Sequence, residues 1–90
     1  MGQEGSEMFT IPISRTEITR GDRQYKVSTI ALPMYDGQTT VFETVIFEWS
    51  GNRWGSVDGP YKYYTEEEAI SEHNRWCSEW QPAEWMSADH

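Results

Sequence analysis

From Phe9 to Trp54, β-branched and aromatic residues alternate with polar ones between turn dipeptides, the pattern of antiparallel strands joined by tight hairpins. "TEITRGDRQYKVSTIAL" reads as a strand, a turn at Gly21-Asp22, and a second strand. In that second strand Tyr25, Val27, Thr29 and Ala31 share one side, and Lys26, Ser28, Ile30 and Leu32 share the other, so neither side is purely polar. Pro33 closes it, and Asp36-Gly37 supplies the turn into "TTVFETVIFEW". There Val41, Glu43, Val45, Phe47 and Trp49 alternate with Phe42, Thr44, Ile46 and Glu48. Both sides carry large apolar groups, which predicts a central strand. "SGNRWGSV" adds a turn at Gly51-Asn52 and a short strand bearing Trp54 and Val57, which Asp58-Gly59-Pro60 is expected to break.

The period then changes. "YYTEEEAISEHNRWCSEW" predicts a helix: Thr65 followed three residues later by Glu68 makes a capping box, and Glu66 and Glu67 stand where the helix dipole favours negative charge. An advance of about 100° per residue places Ala69, Ile70, His73, Trp76, Cys77 and Trp80 on one core-facing arc. Glu68, Glu72 and Glu79 fall on a neighbouring arc beside Arg75, and Pro82 stops the helix soon after Trp80. The expected fold is α+β: a three- to four-stranded antiparallel β-meander with one C-terminal helix packed on one face. Residues 9–80 make the single domain, residues 1–8 a disordered N-terminus, and residues 81–90 a C-terminal tail.

Charge narrows the possible partners. Fifteen acidic against seven basic side chains give a net charge of -8, which opposes direct binding to nucleic acid. From Val57 onward there are eight acids and two bases (Lys62, Arg75), so that third of the chain holds -6 of the -8. One cysteine excludes an internal disulfide and fits a reducing compartment. The opening "MGQEGSEM" has no basic segment followed by an apolar run, and no stretch of about 20 apolar residues is present, so neither export nor a membrane span is expected.

His73 and Cys77, four residues apart, could supply two zinc ligands, but a structural site needs four and a catalytic site usually three. The core reading is therefore preferred, with Cys77 as a small hydrophobe and His73 at the core edge bonded through a ring nitrogen to a sheet group. A reactive thiolate is disfavoured late in an acidic helix, and no glycine-rich loop is built to cradle phosphate. No catalytic residue, cofactor or metal is expected, and the chain reads as a binder and not an enzyme. Five tryptophans exceed what so small a core can enclose, so some should be exposed. Trp85 either folds back over the sheet or presents a binding anchor.

Four ordered segments, "YKVSTIAL", "VFETVIF", "YYTEEEA" and His73 shortly after, resemble a family of small tailed-bacteriophage and prophage proteins of uncharacterised function. The resemblance spans Tyr25 to Trp76; the link from Pro33 to Thr40 and the tryptophan-rich tail depart from it. It implies phage origin and the cytoplasm of a bacterial host, and it transfers no catalytic residues. With the acidity and spare aromatics, the expectation is an accessory protein that binds and inhibits a host protein with a basic surface, of the nucleic-acid-handling or antiviral-defence (CRISPR-type) class. The expected contact residues are Glu68, Glu72, Glu79, Trp49, Trp54 and Trp85. The alternative is a structural or assembly protein acting as a homodimer or larger homo-oligomer through its sheet edge.

Overall fold

The computed structural model describes residues 10–81, so the expected mobile start and all but the first residue of the expected tail lie outside it. Each hairpin expected from the alternation is present: β1 (Ile11–Arg20), β2 (Arg23–Pro33), β3 (Thr40–Trp49) and β4 (Trp54–Tyr63), followed by α1 (Glu66–Trp80). The strands form one antiparallel sheet in the order β1-β2-β3-β4, with β2 and β3 in the middle. The α+β meander with one covering helix is thus the fold. The β2–β3 link is fixed by Asp36, whose carboxylate accepts from the Thr39 hydroxyl at 2.6 Å and from the Gln38 and Thr39 amides, each at 2.8 Å. The Thr39 hydroxyl bond, and then the amides, hold that carboxyl below the usual carboxylate range.

The last strand corrects the sequence reading. Asp58-Gly59-Pro60 does not end it; β4 runs through these residues to Tyr63, with register shifts against β3 between Thr44 and Ile46 and between Ile46 and Phe47. Gly59 makes this possible. Its φ is +97°, and a Cβ there would lie 2.8 Å from the Thr44 carbonyl oxygen, so only glycine allows β4 to approach β3 so closely.

On the helix-covered side the core has three levels. At one end Ile18, Val27, Ile46 and Cys77 pack with Tyr25, Tyr61, Trp76 and Trp80; at the other Ala31, Phe42, Tyr63 and Ala69 pack with Ile13 and Tyr61. Between them, one level is polar: Thr29, Thr44 and His73 are all essentially sealed from solvent. The helix face follows the expected arc except at Ile70, which is 41% exposed because α1 is rotated so that Ala69, His73 and Cys77 point straight at the sheet.

Thr65 caps α1, its hydroxyl accepting from the Glu68 amide at 3.1 Å. Thr65→Ala should lower unfolding stability by about 1 kcal/mol, whereas Ser78→Ala, at an exposed helix position, should change it little. Urea unfolding of both variants checks this; equal effects would mean that the cap does not anchor the helix.

Candidate functional site

The sealed polar level is the first place to look for chemistry. Thr29 Oγ1 lies 2.6 Å from Thr44 Oγ1 and 2.8 Å from His73 Nδ1, and Thr16 Oγ1 lies 3.0 Å from His73 Nε2. Donor accounting fixes the direction of this chain. A neutral imidazole has one N–H, so the bonds run either from Thr44 through Thr29 and His73 to Thr16, or the reverse. The reverse would leave the Thr44 hydroxyl proton without an acceptor at a fully buried position. The first leaves only the Thr16 hydroxyl proton over, on a residue that is half-buried where Thr44 is sealed. The chain therefore runs Thr44 to Thr29 to Nδ1, with Nε2–H donating to Thr16. His73 lies at the centre of the core and not at its edge, with both ring nitrogens engaged. Cys77 packs among Ile18, Val27 and Ile46. Among the described residues no group of three or more His, Cys, Asp or Glu side chains is placed to hold a metal ion.

The second place is the flank of α1 that meets β4. Tyr61 stacks on Trp76 at 4.6 Å between centroids, and the Arg75 guanidinium lies over the same indole at 4.5 Å. Arg75 donates to Glu72 at 2.8 Å and reaches Glu79 at 3.7 Å, while the Trp76 indole N–H donates to the Tyr63 hydroxyl at 3.1 Å. Arg75 thus compensates two of the three expected contact acids at once, because it stands three residues after one and four before the other. The Glu72 hydrogen bond raises its own pKa above the usual guanidinium value. Glu68, in the first turn, has no ion pair among the described residues.

The third place is the side of the sheet that α1 leaves open. Here Ile30, Leu32, Val41, Val45, Phe47 and Trp54 are partly buried, and the Lys26 ammonium sits 4.9 Å from the Phe47 ring centroid and 4.6 Å from that of Trp54. Partial burial, and then the positive charge of Arg15, lower the Lys26 pKa. Trp49 packs against Trp54 at 5.3 Å. The expected contact set is therefore divided. Glu68, Glu72 and Glu79 lie on the helix side, Trp49 and Trp54 on the opposite side of the sheet, and Trp85 outside the described residues.

Sequence reasoning missed the three threonines that hold His73. Their signal was present, since Thr29 and Thr44 stand on strand sides otherwise occupied by Tyr25, Val27, Ala31, Phe42 and Ile46, opposite the one polar residue on the core side of the helix. Lys26 over Phe47 and Trp54 needed the strand register, which alternation alone does not supply.

The chain matches no protein-family model, no curated protein and no solved structure, so the candidate sites are weighed on geometry. One consequence of the sealed level can be measured. Burial, with no charged neighbour contributing, lowers the His73 pKa from its ordinary 6.5. The unfolded chain then binds the extra proton first as pH falls. The stability that depends on neutral His73 is present above pH 6.5 and is lost below it, by up to about 1.4 kcal/mol per pH unit until the folded-state pKa is reached. Urea midpoints at pH 7.5, 6.5 and 5.5 should fall in that order for the parent and be nearly flat for His73→Gln, a less stable variant overall. A parent as stable at pH 5.5 as at 7.5 would contradict the burial of a neutral imidazole.

Proposed function

We propose that the chain is a non-catalytic accessory protein of a phage or mobile element that binds a host protein with a basic surface and blocks it, the target belonging to the nucleic-acid-handling or antiviral-defence class. One observation carries the reading: the separation of charge between the two sides of the fold. In the described strands and turns six acids and six bases cancel, whereas α1 holds Glu66, Glu67, Glu68, Glu72 and Glu79 against Arg75 alone. All the net charge of the described fold is thus on the helix, displayed from one side. Tyr64, 66% exposed, and Ile70 lie beside the uncompensated first-turn acids and offer apolar contact next to charge. Such a surface suits a groove built for phosphate, since long-range attraction speeds encounter and apolar contact slows release.

Assembly through a sheet edge is less well supported. Pro12 and a register shift interrupt β1, and Gly59-Pro60 with two further shifts interrupts β4, so neither edge offers an unbroken row of backbone donors and acceptors.

The test is capture from bacterial lysate on the immobilised chain, with a 30-base-pair DNA duplex as competitor. The parent should retain a discrete basic protein that the duplex displaces, and combined Glu68→Lys, Glu72→Lys and Glu79→Lys should slow its association at least about tenfold at low salt with the far-ultraviolet spectrum unchanged. Retention by the folded triple variant at the parent's rate, or indifference to the duplex, would remove the reading.

A further inference from the structure

We propose that the open sheet face is a self-association surface, through which two copies pack sheet against sheet with their helices outward. The proposal does not depend on the identity of any host target. Along its two central strands the face carries Ile30 and Leu32 on β2 and Val41, Val45 and Phe47 on β3, interrupted by Lys26, Ser28 and Glu43, with Trp54 beside Phe47. No described element covers them.

Size and charge together select a second copy. Four strands about 4.8 Å apart and ten residues long at about 3.3 Å each present a face of roughly 19 by 33 Å. Two such faces bury on the order of 1,250 Å², within the range of stable protein interfaces. Four of the five ionic groups on this face are paired within one chain, Arg15 with Glu17 at 2.7 Å and Lys62 with Glu43 at 3.8 Å, while Lys26 rests over Phe47 and Trp54 and has no ion pair among the described residues. Two copies therefore meet here with one unpaired charge each, held over its own aromatic rings. Stacked sheets lie about 10 Å apart and each helix adds a further layer about 10 Å beyond its own sheet, so the acidic helices end up roughly 30 Å apart, several Debye lengths at physiological salt. Contact through the helices would instead bring the chain's negative charge face to face. The contact is isologous, so one substitution acts twice in the dimer.

Sedimentation equilibrium of the full chain at about 100 μM, a concentration that populates dimers of micromolar Kd, should give twice the chain mass. Val45→Glu and Ile30→Lys should each weaken association about a hundredfold or more by placing charge in the contact. Ile30 pairs across strands with Glu43, so its lysine variant has an acidic neighbour in the monomer and should keep its fold. Ile70→Glu, on the helix side, should leave the dimer intact. A parent that stays monomeric, a folded Ile30→Lys or Val45→Glu chain that stays dimeric, or association that strengthens when residues 82–90 are removed would overturn the proposal. None of these outcomes would decide whether the helix captures a basic protein.

Discussion

A buried imidazole held by three threonines is the constraint on which the rest of this fold depends. His73 is bonded to Thr16 on β1 and to Thr29 on β2, and Thr29 is bonded in turn to Thr44 on β3, so one chain of hydrogen bonds links the helix to three strands. Apolar packing alone tolerates sliding, but this level does not. Strand side chains alternate with a period of two, so a slip that keeps the core side inward must move by two residues and would set Thr29 opposite Phe42 or Ile46. Each polar group left unpaired would then cost about 1–3 kcal/mol. Register, helix rotation and the burial of Ala69 and Cys77 follow from satisfying one side chain.

That arrangement also determines what the two sides of the sheet are left to do. The helix-covered side is fully engaged, with apolar levels above and below the threonines. The far side keeps aliphatic and aromatic groups that the fold itself does not require. Charge follows the same division, because the strands are neutral in sum and the helix is not. Arg75, held over Trp76 and shared by Glu72 and Glu79, partly offsets the later part of the helix and leaves most of the excess in its first turn. A recognition surface on the helix and an association surface on the sheet can coexist because they use opposite sides.

Much of the architecture was legible because it rests on local chemistry. Alternation located the strands, turn glycines the hairpins, and Thr65 with Glu68 the start of the helix. The length of β4 was not legible, because the close approach of Gly59 to the Thr44 carbonyl is a tertiary fact that composition reads as a break. The candidate site was only half legible. Helical spacing grouped the glutamates, but nothing local states that Trp49 and Trp54 face away from them; that depends on which side of β3 the helix covers. The segments "YKVSTIAL", "VFETVIF" and "YYTEEEA", with His73, supply Val27, Thr29, Phe42, Thr44, Thr65, Ala69 and His73, which are core and cap positions. They mark how the chain folds more than what it binds.

The ring nitrogens of His73, on whose state the whole buried level depends, can be observed directly by long-range proton–nitrogen correlation NMR on nitrogen-15-labelled protein. The buried level described above predicts a neutral ring at pH 7.5 with the proton on Nε2 and a bonded, unprotonated Nδ1, which takes up a second proton only below the pH at which an ordinary imidazole does. A ring that carries its proton on Nδ1 at pH 7.5, or that becomes an imidazolium near pH 6.5 as an exposed histidine does, would contradict it.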